Sequence, residues 1–308
     1  MLSSAIMRSP GRLRRGDRIA VSAPAGPVDP TRLRAGAEVL SGWGLRVVED
    51  PGLLSRKGYL AGPDERRRDE LLQGLTDPQA AAVWFARGGY GTLRTLQAGI
   101  DLAALIAAPR TIVGFSDLTP LLNLVAFGAD QIAVHGPTLV QLLDLDRTSR
   151  EHLHDLLFDP RPGVVLQGRE MLVPGRVEGR LCGGNLVLLA HSLATPFAVE
   201  TRGRVLLIEE VDEAPYRLDR LLTQLLLAGV FDRAAGVVVG HLCGADDPAA
   251  ADLDAVVRER LGGLDKPVLL GLPVGHRADN RAVPIGGRVI LDGPSCSLVL
   301  QEPAVAMD

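Results

Sequence analysis

Lysine is nearly missing from this chain of 308 residues and occurs only at Lys57 and Lys266. Almost all of the 33 basic residues are therefore arginine, and a Ser-Lys dyad or a lysine Schiff base has few candidates. Cysteine is as sparse. Cys182, Cys243 and Cys296 are odd in number, far apart and without Cys-x-x-Cys spacing, which argues against a disulfide framework or a zinc ribbon and favours a reducing cytoplasm. Aromatic residues make up only 4% of the chain, with tryptophan at Trp43 and Trp84 alone. No apolar run approaches the length that crosses a bilayer, and residues 1–15 lack the apolar stretch of an export signal. There is no basic excess either. A formal charge of -4 argues against a nucleic-acid partner, so a soluble cytoplasmic protein with neither membrane nor nucleic-acid contacts is expected.

What the chain has is apolar content, 46%, arranged in alternation. Arg18–Pro24 reads as a buried strand, Pro30–Trp43 as a helix closed by Gly44, and Leu45–Val48 as a second strand. Pro63–Leu75 follows as a charged helix whose Arg66, Arg67 and Arg68 read as a solvated face. Ala81–Ala86 is a strand that runs into the turn Arg87-Gly88-Gly89-Tyr90-Gly91. Strand and helix keep alternating, which predicts an α/β fold with a mainly parallel N-terminal sheet flanked by helices. In such sheets ligands gather at the carboxyl ends of the strands. Proline and glycine between Phe158 and Gly175 break the pattern. We divide the chain there into an N-terminal domain, 1–158, a linker, 159–175, and a smaller C-terminal α/β domain, 176–308, with a β-rich end. That end is a closing β pair, Arg281–Asp292 with Cys296–Leu300, and Ala245–Ala251 reads as a solvated loop.

Chemistry enters at Gly114-Phe115-Ser116-Asp117-Leu118-Thr119, where an apolar strand stops at a serine and a helix begins. A hydroxyl at such a corner sits over the sheet edge, beside the free N–H groups of the new helix, which suits a nucleophile. It suits a helix cap equally well, and the second glycine of Gly-x-Ser-x-Gly is missing. A serine nucleophile needs a base and an orienting carboxylate. Of the six histidines, His276, in a glycine-containing loop after a buried strand, is the best placed. His135, at a strand end, is the next candidate, and His152, His154 and His191 fall in helical patterns. Glu209 and Glu210 end an apolar strand, where alternation lets only one of them face a site; on spacing alone the reading that both are solvated at the strand end stays equally open.

Six motifs together carry a resemblance: Ala86-Arg87-Gly88-Gly89-Tyr90-Gly91, the Ser116 corner, His135-Gly136-Pro137, Gly183-Gly184-Asn185-Leu186, Leu207-Ile208-Glu209-Glu210-Val211-Asp212-Glu213-Ala214-Pro215-Tyr216-Arg217, and Gly271-Leu272-Pro273-Val274-Gly275-His276. In this order, over nearly the whole chain, they resemble the LD-carboxypeptidases, serine peptidase family S66. The resemblance implies a two-domain α/β homodimer with Ser116 as nucleophile, Glu209 as orienting carboxylate and His276 as base. It implies hydrolysis of the L,D bond before the terminal D-alanine of murein tetrapeptides in cell-wall recycling, with no metal and no organic cofactor. Backbone N–H groups of Asp117 and of Gly88 or Gly89 would bind the oxyanion. Arg87 would pair with the substrate carboxylate or make a structural ion pair, and Asn185 would bind substrate or cap a helix. Two alternatives stay open. One is a microcin C self-immunity-type peptidase acting on peptidyl-nucleotides, which would stack an aromatic side chain on the base; the other is a non-catalytic ligand-binding protein of the same fold.

Overall fold

In a computed structural model, residues 7–101, 109–242 and 250–307 are described. The expected alternation opens the chain: β1 (Arg18–Ser22), α1 (Pro30–Gly42), β2 (Arg46–Glu49), α2 (Asp64–Thr76), β3 (Ala80–Phe85), α3 (Thr92–Gln97), β4 (Thr111–Gly114), α4 (Thr119–Gly128) and β5 (Ala133–His135). Local chemistry explains the boundaries. Asp29 caps α1 by accepting from the N–H groups of Thr31 and Arg32, and Pro30 supplies the preset φ of a first helical residue. Helix α5 (Arg147–Phe158) is capped by Asp146 and leads into β6 (Val164–Gln167) and β7 (Glu170–Val173). The remaining elements are β8 (Arg176–Asn185), α6 (Leu186–His191), β9 (Val205–Glu209), α7 (Pro215–Leu227), α8 (Val230–Arg233), β10 (Gly236–Val239), α9 (Ala250–Leu261), β11 (Val268–Leu270), β12 (Val283–Ile285), β13 (Arg288–Asp292) and β14 (Ser297–Leu300).

Two sheets result. Among the described residues the first has the order β12-β5-β4-β3-β1-β2, and the second β6-β14-β13-β8-β9-β10-β11-β7. Strands β2-β1-β3-β4-β5 and β8-β9-β10-β11 run parallel. Antiparallel strands close both edges of the second sheet and the β12 edge of the first, whose other edge is the parallel β2.

Two expectations need correcting. Residues 159–175 do not form a free linker: β6 and β7 lie at the two opposite edges of the second sheet. Within the expected closing pair, β13 does pair with β14, but Val283–Ile285 crosses back as β12 to the first sheet, antiparallel to β5. Pro284 suits that edge, where a missing N–H breaks no ladder on the outer side. The second sheet, with eight strands, is wider than the first, with six. The two sheets share one apolar core, in which Val113, Val134 and Val283 pack in the same cluster as Leu181, Leu207 and Leu269.

A further correction concerns α2. Arg67 is fully buried, not solvated, and its guanidinium donates to Gly91 O at 2.8 Å, to Thr95 Oγ1 at 2.5 Å, and to Pro24 O. One planar fork thus gathers carbonyls from three separate loops, at Pro24, Gly62 and Gly91. Most of the 245–251 loop lies outside the described residues, while Ala250 and Ala251 already belong to α9.

Candidate active site

Ser116 follows β4 with a φ of +63°, in the left-handed region that serine rarely occupies, and opens a short 3-10 turn that feeds α4. The expected corner is thus present, and it is strained in the manner of a nucleophile elbow. Next to it, the buried Asp117 carboxylate accepts from the N–H of Thr92 at 2.8 Å, tying the corner to the start of α3 and so to the turn 87–91. Burial pushes the Asp117 carboxyl upward despite that bond. Gly88 lies so close that a Cβ there would stand 3.2 Å from Ser116 Cβ and 3.6 Å from the N of Asp117. The N–H groups of Gly88 and Gly89 donate to no main-chain acceptor among the described residues.

Glu209 is the last residue of β9 and fully buried. Its Oε2 accepts from His276 Nδ1 at 2.8 Å, which leaves Nε2 of the same ring to act as a base. The contact requires Gly275, with φ +130°, since a Cβ there would stand 3.1 Å from Oε2. Burial alone would push the Glu209 carboxyl up, but the facing His276 and His135 outweigh it and hold it at about 2. Burial likewise pulls His276 down, while Glu209, helped by Glu210 and Asp212, overrides it and raises the imidazole above its ordinary value. The His276 ring packs on Phe115, the residue before Ser116, with centroids 4.6 Å apart.

Ser116 and His276 therefore line one cavity of about 630 Å³, together with Arg87, Gly88, Gly89 and Glu210. Arg87 donates to Pro27 O at 2.9 Å and has no carboxylate within ion-pair distance among the described residues, so the structural ion pair is absent. Asn185 does cap α6, accepting from the N–H of Leu188. Among the described residues no cluster of three or more His, Cys, Asp or Glu is arranged to hold a metal ion.

The N-terminal domain of the LD-carboxypeptidase family matches residues 19–136 and its C-terminal domain matches 178–291. A protein of Streptomyces coelicolor is 41% identical over 96% of this chain and 97% of its own. The chain belongs to the LD-carboxypeptidase family. The murein tetrapeptide carboxypeptidase of Pseudomonas aeruginosa is 34% identical over 90% of this chain and 93% of its own. The crystal structure of muramoyltetrapeptide carboxypeptidase from Oxalobacter formigenes is similar with a TM-score of 0.80, at 30% identity over 91% of this chain and 97% of that one. The microcin C7 self-immunity protein has a TM-score of 0.84 over 97% of this chain and 100% of its own, at 23% identity, which is a likeness of fold.

For an LD-carboxypeptidase read from its sequence, three site features are new. Glu210 is buried rather than solvated: its carboxylate accepts from Asn185 Nδ2 and the N–H of Val211, both at 2.9 Å, and from the N–H of Val187 at 2.8 Å. The strand ends at Glu209, so Glu210 can turn onto the cavity wall while Glu209 lies beneath it against His276. Burial pushes the Glu210 carboxyl up to about 7 against those three donors, with the charge of Glu209 adding to the rise. The second feature is Asn123 on α4, whose amide exchanges two bonds with the main chain of Gly183, each 2.9 Å. The third is Thr119, whose hydroxyl accepts from the N–H of Asn185 at 3.0 Å. Together Asn123 and Thr119 bind the helix behind Ser116 to the strand beside β9.

Proposed function

We propose that this protein is a serine LD-carboxypeptidase that hydrolyses the L,D peptide bond before the terminal D-alanine of murein tetrapeptides, with Ser116, His276 and Glu209 as its catalytic triad. The observation that carries the reading is the 2.8 Å contact between His276 Nδ1 and buried Glu209 Oε2, beneath a cavity that Ser116 also lines. Nε2 of His276 takes the Ser116 proton as Oγ attacks the carbonyl carbon. The oxyanion is received by the N–H groups of Asp117 and of Gly88 or Gly89, each such donor being worth about 3 kcal/mol of barrier. His276 then returns the proton to the leaving D-alanine amine. Water, activated by the same nitrogen, releases the acyl group and restores the serine. The guanidinium of Arg87, which among the described residues pairs with no carboxylate, suits the carboxylate of the departing D-alanine, because its fork matches that group.

The peptidyl-nucleotide alternative is not favoured. Trp84 is fully buried with Nε1 donating to Pro137 O, and Trp43 packs against Trp84 and Phe158, so neither tryptophan stands on the cavity. A homodimer and a cytoplasmic location, both implied by the family resemblance, belong to the same proposal; light scattering on the purified protein tests the first. The function is tested by incubating the protein with murein tetrapeptide and measuring free D-alanine. Release is expected from the native protein and a loss of about 1,000-fold or more from Ser116→Ala. A folded native preparation that releases none would overturn the proposal.

A further inference from the structure

Glu209 uses one oxygen on His276, while the other, Oε1, is buried with no hydrogen-bond partner among the described residues. Facing it at 3.7 Å is Nε2 of His135, a fully buried ring whose two nitrogens also have no hydrogen-bond partner there. A buried carboxylate oxygen without a donor and a buried imidazole without an acceptor are each costly, and each is what the other lacks. The two come from different sheets. His135 ends β5 in the first, paired with Gly114 of β4 and Val283 of β12, whereas Glu209 ends β9 in the second. Phe115 packs against both imidazoles, edge-on to His135 with centroids 5.5 Å apart and tilted against His276 at 4.6 Å.

We propose that His135 is a positioning residue for the Glu209 carboxylate: its Nε2–H closes on Oε1 from the serine's side of the seam and fixes the rotation in which Oε2 meets His276 Nδ1. This rests on the triad reading above. His135 does not line the cavity and acts only through Glu209. The other charged or titratable groups acting here are His276, His241 and Glu210 around Glu209, and Glu209, Glu210 and Asp212 around His276.

His135→Leu removes the donor at similar bulk, and His135→Gln puts an amide N–H where Nε2 stands. Three readouts apply to the full-length protein: kcat and KM on tetrapeptide, the titration midpoint of the His276 ring by NMR, with His276→Ala identifying its signal, and thermal unfolding. In His135→Leu, kcat should fall about tenfold with KM within about twofold. The His276 midpoint should also fall, because a carboxylate free to turn away leaves burial to dominate. His135→Gln should recover most of both. A folded His135→Leu protein with unchanged kcat and an unchanged or raised midpoint overturns the proposal. If the leucine protein does not fold, the glutamine protein decides: a near-native midpoint supports the proposal, and a fall at native melting temperature overturns it. The midpoint needs no substrate, so absence of tetrapeptide hydrolysis would sink the functional reading without touching this one.

Discussion

At the scale of single residues the site turns on a carboxylate kept ionised where burial alone would neutralise it. The Glu209–His276 pair has opposite consequences for stability and for catalysis. Glu209 is held down at about 2, so its stabilising contribution is present above the ordinary carboxylate range and is lost as pH falls from about 4.5 toward about 2. His276 is raised, so its contribution is full below 6.5 and is lost as pH rises through its higher folded value. The proposed triad needs the ring neutral, and on that proposal the acid limb of kcat/KM against pH should lie above 6.5. Glu209→Gln should move that limb down and cut kcat by about 100-fold or more, since the ring loses its orienting charge; a limb that stays in place would show that the carboxylate does not tune the base. The positions of Ser116, Glu209 and His276 at or just after strand ends could be read from the sequence, because each ends or follows a buried apolar run. Arg67 was misread although the signal was available: three consecutive helical residues lie about 100° apart, so Arg66, Arg67 and Arg68 cannot share one face. Glu210 was misread because strand alternation was carried one residue beyond the strand.

At the scale of elements, the helix behind Ser116 is bolted to the neighbouring sheet. Asn123 of α4 exchanges two bonds with Gly183, and Thr119 accepts from Asn185, which in the register of β8 and β9 lies opposite Glu209. Serine and glutamate are thus held by one continuous path of hydrogen bonds. Asn123→Ala leaves both main-chain groups of Gly183 buried without partners and should lower stability by about 1–3 kcal/mol in urea unfolding. An unchanged midpoint would show that the seam is held by apolar packing alone. The alternation of strands and helices could be read from apolar periodicity, yet sheet membership could not. Residues 164–173 are short runs between prolines and glycines and look like a linker, and Val283-Pro284-Ile285 looks like part of a hairpin. Which sheet a short strand joins depends on distant partners, and periodicity carries no information about them.

At the scale of the whole molecule, the two family domains are not separable bodies. One apolar cluster runs through both sheets, β12 completes the first sheet from near the end of the chain, and β6 and β7 leave the middle of the chain for opposite edges of the second. Fragments 1–158 and 159–308 expressed apart should each be less soluble than the intact protein, because the first exposes the open side of β5 and the second carries β12 with nothing to pair with. Soluble, cooperatively melting fragments would contradict this. The excursion of β12 also orders events during synthesis. The sheet that bears Ser116 stays unfinished until Ile285 has been made, and His276 has by then already been added. A chain cut between 276 and 283 would hold Ser116, Glu209 and His276 and still lack the strand that flanks His135.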